Sequence, residues 1–134
     1  MKLATWNVNS IRVRLPRLLA WLERHSPDVL CLQETKVVDR DFPLKELREV
    51  GYHALYTGQK TYNGVALLSR SQPREIARAL PGDDSEAEKR LIAAEVDGVI
   101  ILGVYAPNGA EVGSSKYGFK LQWYGKLHDY LKDV

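Results

Sequence analysis

The chain has 134 residues, 45% of them hydrophobic and 27% charged, and a formal net charge of +2. That is the usual size of one globular domain, long enough to bury a core and too apolar for a disordered chain. No run approaches the roughly 18 to 20 apolar residues of a membrane span, and MKLATWNVNS lacks the apolar centre of a secretory leader.

Lys2 to Asn7 predicts a first strand, and Asn9 and Ser10 favour a turn or a helix cap after it. Ile11, Leu15, Leu18, Leu19 and Leu22 then make the stripe of an amphipathic helix, with Arg14, Arg17, Glu23 and Arg24 off it. Proline fits only the first helical turn, so Pro16 predicts a regular helix starting near Leu15 and ending before Pro27. Val29 to Gln33 is a second strand. It contains the chain's single cysteine, Cys31, placed as a small hydrophobe rather than a disulfide partner. With no disulfide, leader or membrane span, the sequence reads as a soluble, intracellular protein, cytoplasmic and without a membrane partner.

Pro43 to Gly51, PLKELREVG, predicts a short helix with proline near its start and glycine just past its end. Tyr52 to Thr57 and Gly64 to Ser69 are further strands, followed by a polar segment around PGDDSEAEKR. Leu91 to Val96 and Val99 to Tyr105 flank Asp97-Gly98, a strong short-range hairpin signal. Leu121, Tyr124, Leu127, Leu131 and Val134 mark a C-terminal helix still in register at the last residue. Many strands and few helices imply a mixed α/β sheet with helices on one face. The last helix has neither glycine cap nor proline stop, which suggests a chain that continues.

Three strands end on polar groups: Trp6-Asn7, Gln33-Glu34, and Tyr105 leading into APNG. Loops at strand ends present polar groups on a rigid support, and a carboxylate there suits a hard cation such as Mg²⁺. Plainer roles fit the same residues. Glu34 serves equally as a solvated or ion-paired group with Lys36 as partner; Asn7 and Asn9 are ordinary turn formers, and Tyr105 an ordinary strand residue. His25, His53 and His128 have no metal-like spacing. The charges, as in DRDFPLKELRE and DDSEAEKR, are interleaved. They permit a nucleic-acid partner, and a solvated surface explains them as well.

Taken together and in this order, TWNVNSIR, PDVLCLQETK, NGVALLSR and VYAPNG resemble the endonuclease/exonuclease/phosphatase superfamily, in particular its exonuclease III and apurinic/apyrimidinic (AP) endonuclease branch. The resemblance covers essentially the whole chain. It implies half of a two-layered α/β sandwich of the four-layer type, a mixed β-sheet with helices on one face. Residues 1–134 would be the N-terminal half of a domain about twice this length, with the C-terminal half absent. It also implies hydrolysis of DNA phosphodiesters at abasic sites and 3′ ends, with Mg²⁺ or Mn²⁺. The partners would be double-stranded DNA with abasic or 3′-blocked sites, and the missing C-terminal half.

By matching position, Glu34 and Asn7 would hold the metal and Tyr105 would be the active-site tyrosine. Arg90 and Asn108 would touch substrate phosphates, and Lys36 would orient the local carboxylates. Asn9 falls where some relatives carry an aspartate, so its support of the metal would be weaker or different. A Gly-Asp-x-Asn motif carrying the general base, and a closing aspartate–histidine pair, have no counterpart in the chain. The half-domain is therefore expected to be inactive alone. The alternation in Leu91 to Val104 is expected to supply the apolar face that the other half covers, leaving the isolated chain prone to self-association. Two other readings stay open: a non-catalytic half-domain that binds a complementary chain or nucleic acid, and a superfamily member acting on an inositol phosphate or sphingomyelin.

Overall fold

The computed structural model describes residues 1–134 as seven strands and three α-helices in chain order. They are β1 (Leu3–Asn7), α1 (Ile11–His25), β2 (Val29–Gln33), α2 (Leu44–Glu49), β3 (His53–Thr57), β4 (Val65–Ser69), β5 (Arg74–Ala77), β6 (Leu91–Val96), β7 (Val99–Val104) and α3 (Ser115–Asp133). A 3₁₀ turn at Asp39–Asp41 precedes α2. All seven strands, with α1 and α2, belong to a compact unit of residues 1–78 and 88–105.

That unit holds two sheets, where the sequence suggested one. The first is mixed, in the order β1-β2-β4-β3, with β1 parallel to β2 across the α1 crossover and the other neighbours antiparallel. The second, β5-β6-β7, is antiparallel throughout. Asp97 (φ 51°) and Gly98 (φ 81°) both take the left-handed conformation that a two-residue hairpin loop demands.

The continuous apolar runs of β2 and β4 follow from burial on both faces. Leu30, Leu32, Ala66 and Leu68 face α1 and α2, where they pack with Ile11, Leu18, Leu22 and Leu47. On the other face Val29, Cys31, Val65 and Leu67 meet Ile92, Ala94, Val96 and Ile101 of the second sheet. This corrects the expectation for Leu91 to Val104, because its inward side chains are used within the chain. What that hairpin leaves open is Val99 and Ile100, 44% and 46% exposed.

The first helix also differs from expectation, starting at Ile11 and not near Leu15. Ser10 caps it, accepting from Val13 N, and its first amides are tied down elsewhere: Ser10 N donates to Glu34 O and Ile11 N to Thr35 O. Pro16, inside the second turn, is exposed, as is Arg12, to whose carbonyl it has no N–H to donate. The strand β5 was not anticipated. Its four residues, REIA, alternate too briefly to announce a strand, and it pairs at one edge only, with Arg74 bound to Glu95.

Residues 79–87 and 106–134 form a second compact unit. In it Ser114 caps α3 by accepting from Tyr117 N at 3.1 Å, and Lys126 pairs with Asp83 at 3.8 Å. The helix begins ahead of Leu121. Its buried residue is Trp123, while Leu121, Tyr124, Leu131 and Val134 of the expected stripe are exposed.

Candidate active site

Because β1 and β2 are parallel, Asn7 and Gln33 stand side by side at one edge of the mixed sheet, with Val65 at the start of β4 opposite Gln33. The loops leaving that edge are laced by backbone hydrogen bonds. Val8 N donates to Gln33 O at 3.0 Å, Thr35 N to Gly64 O at 3.2 Å, Lys36 N to Asn63 O at 3.0 Å, and Gly64 N to Lys89 O at 2.9 Å. Asn9, Ser10, Glu34, Lys36 and Asn63 all have positive φ, between 43° and 86°. Such a concentration of uncommon backbone in non-glycine residues is maintained by surrounding structure and is typical of functional loops.

Glu34 is the hub. Tyr105 Oη donates to its Oε1 at 2.6 Å, and Asn7 Nδ2 donates to the same oxygen at 3.1 Å. Lys36 Nζ lies 3.4 Å from Oε2, the less engaged oxygen, and also donates to Asn9 Oδ1 at 2.6 Å. Asn7 Oδ1 accepts from Asn9 N at 3.1 Å. The Tyr105 hydrogen bond, followed by those of Asn7 and Lys36 and the lysine charge, holds the Glu34 carboxyl below its usual pKa despite partial desolvation. Tyr105 shifts the opposite way, raised first by burial and then by the adjacent carboxylate, with Arg90 opposing.

Arg90 is part of the same assembly. Its Nη1 donates to Tyr105 O at 3.1 Å, its guanidinium carbon lies 4.8 Å from the centre of the Tyr105 ring, and its Nε pairs with Glu88 at 2.5 Å. Glu34, Asn7, Asn9, Lys36, Tyr105 and Arg90 thus share one locale. Asn108 belongs to the second unit, where its exposed side chain accepts from Ala110 N at 2.8 Å and closes a turn. Sequence reasoning noted Gln33 as a polar strand end but gave it no role, and its Nε2 donates to Thr5 Oγ1 at 2.9 Å; it overlooked the backbone support from Asn63-Gly64. The Asn-Gly pair, a turn signal in its own right, was the available clue to the second.

No group of three or more His, Cys, Asp and Glu side chains converges in the chain. A cation at this edge would rest on one carboxylate, Glu34, and on the amide oxygen of Asn7 once that amide turned over, since its Nδ2 faces Glu34 and its Oδ1 accepts from Asn9 N. Such an all-oxygen, low-charge donor set fits a hard divalent ion that retains several waters. No helix of the chain is long and apolar enough to cross a membrane.

The endonuclease/exonuclease/phosphatase family description matches residues 4–133. Exodeoxyribonuclease III of Haemophilus influenzae is 37% identical across 98% of the chain, which spans 51% of that protein. A 3′ phosphatase from Neisseria, solved with a product DNA hairpin, superposes with a TM-score of 0.95 and 44% identity, covering 99% of this chain and 52% of its own. An AP endonuclease from Archaeoglobus fulgidus gives 0.94 and 42%, covering 100% and 52%. The chain therefore spans about half the length of these relatives.

Proposed function

Since the chain belongs to the endonuclease/exonuclease/phosphatase family, we propose that it carries the metal-and-tyrosine portion of a DNA-repair phosphodiesterase. The proposed reaction is hydrolysis of DNA beside abasic sites and at 3′ ends, with Mg²⁺ (or Mn²⁺) as the divalent cation, in the cytoplasm. The observation that carries this reading is the hydrogen bond between Tyr105 and Glu34, which unites residues 71 positions apart at one sheet edge.

Glu34 and Asn7 are the residues that would hold the cation. Bound there, a divalent ion supplies charge stabilisation to the phosphoryl oxygens. The chain's own groups do the rest of the local work. Lys36 and Asn7 fix the carboxylate's orientation. The Tyr105 hydroxyl, kept protonated by its surroundings, is a donor already aimed at negative oxygen, and is suited to charge that appears in the transition state. Asn108 is proposed as a contact to substrate phosphate, and Asn9, a neutral amide, as a weaker support of the metal than an aspartate would be. The general base is expected from the portion of such an enzyme that this chain does not span, so the 134 residues alone turn over no substrate.

A second reading, a non-catalytic half-domain that binds a complementary chain, draws on two unpaired sheet edges. Both β1 and β7 have a neighbour on one side only, and an open apolar cleft of about 380 Å³ lies against Leu3, Ala4, Ile101 and Val104. A nicking assay on abasic duplex with Mg²⁺ separates the two. The chain is mixed with a polypeptide covering the remainder of a full-length relative, alone and as Glu34→Gln. Nicking by the mixture, lost on substitution and on chelation, is the expected result. Stable association of the two polypeptides with no nicking at any Mg²⁺ or Mn²⁺ concentration would favour the second reading.

A further inference from the structure

We propose that Arg90 acts as the positioning residue of Tyr105, clamping the tyrosine so that its hydroxyl meets Glu34, and is not chiefly a contact to substrate phosphate. The inference deepens the reading of Tyr105 as a site residue and rests on it. Arg90 directly precedes β6 and Tyr105 directly follows β7, so the two face each other across the mouth of the β6–β7 hairpin, one step beyond the Leu91–Val104 pair. Their backbones are joined there, Tyr105 N donating to Arg90 O at 2.9 Å.

The side chain then adds two further holds. Nη1 reaches Tyr105 O at 3.1 Å, and the guanidinium carbon lies over the ring, 4.8 Å from its centre. Glu88, at 2.5 Å from Nε, keeps the guanidinium turned toward the tyrosine and offsets its charge. The Arg90 side chain is 10% exposed. A phosphate would have to compete for a cation that is largely covered and already paired. Arginine is suited to the clamp because its fork binds the carbonyl while its flat face stacks on the ring; a lysine ammonium cannot do both at once.

The test is NMR of the 134-residue chain carrying ¹³C-labelled tyrosine, with Tyr105→Phe used to assign the Tyr105 lines among the seven tyrosines. Arg90→Lys preserves the charge and should shift the Tyr105 lines toward those of free tyrosine, leaving the other six in place. Affinity for an abasic duplex, followed by fluorescence anisotropy at two salt concentrations, should change less than about twofold with its salt dependence intact. Unmoved Tyr105 lines, together with a roughly tenfold loss of affinity, would overturn the proposal in favour of a phosphate contact made by the guanidinium fork. If Arg90→Lys fails to fold, Glu88→Gln takes its place: it releases Nε and should move the same lines in the same direction, and unmoved lines refute the clamp. A chain that binds no duplex at all counts against the proposed function, while the tyrosine lines still decide the role of Arg90.

Discussion

Gly64 passes so close to Thr35 that a Cβ built on it would lie 2.1 Å from Thr35 Oγ1, and Gly64 itself sits at φ +93°. This contact joins the turn before β4 to the loop that carries Glu34. Gly64→Ala should therefore cost about 1 to 3 kcal/mol for the backbone conformation alone. Displacing Thr35, which is 1% exposed, adds to that. Gly51→Ala provides the comparison, since Gly51 has a similar φ of +92° but open space around it. Urea midpoints should fall further for Gly64→Ala than for Gly51→Ala; equal losses would mean that the loop yields freely.

The buried thiol of Cys31 supplies a pH signature away from the Glu34 cluster. Burial pushes its pKa up from 9.0 to about 11. The folded state thus holds the proton more tightly than the unfolded chain. Its contribution is complete below pH 9 and is lost as the pH rises through 11. The loss attributable to Cys31 should reach about 2 kcal/mol by pH 10.5. Urea denaturation between pH 8 and 10.5 should show a smaller decline for Cys31→Ala than for the unmodified chain, and parallel declines would refute the assignment.

For the proposed reaction, Glu34→Gln in the reassembled enzyme should lower Mg²⁺-dependent cleavage by roughly 100-fold, the usual loss when one transition-state stabiliser is removed. Tyr105→Phe should lower kcat with little change in DNA affinity, because the hydroxyl acts on charge that develops during the reaction. Steady-state nicking kinetics and anisotropy measured in parallel separate the two effects. A Tyr105→Phe enzyme that loses affinity and keeps its kcat would make the tyrosine a binding residue.

Packing between the two sheets is tested at Leu67, fully buried against the second sheet. Leu67→Ala should cost about 2 to 5 kcal/mol. Ile100→Thr, at a position 46% exposed, should fall within about 0.5 kcal/mol of the parent. A small effect at Leu67 in urea titration would mean that the sheets are not held by this cluster.

What the sequence determined by itself was local. Val29–Gln33 is a strand with the expected bounds because an apolar run buried on both faces needs no partner to be recognised. Asp97-Gly98 makes its hairpin, and Pro43 and Gly51 bracket α2, because turn and cap chemistry act over a few residues. Glu34 was conspicuous as a carboxylate ending such a strand. The tertiary structure alone decided what depends on distant segments meeting. The start of α1 is one case, since carbonyls of residues 34 and 35 hold its first turn and outweigh the bias of Pro16. The use of Ile92, Ala94 and Val96 inside the chain is another, because alternation shows that a strand has an apolar face and not what will cover it. The meeting of Tyr105 with Glu34 arises from stacking one sheet on the other, whereas that of Arg90 with Tyr105 follows from the register of the β6–β7 hairpin. Hydrogen bonds and ring contacts extend only a few ångströms, so residues 71 apart in sequence can form them only after the core between them has packed.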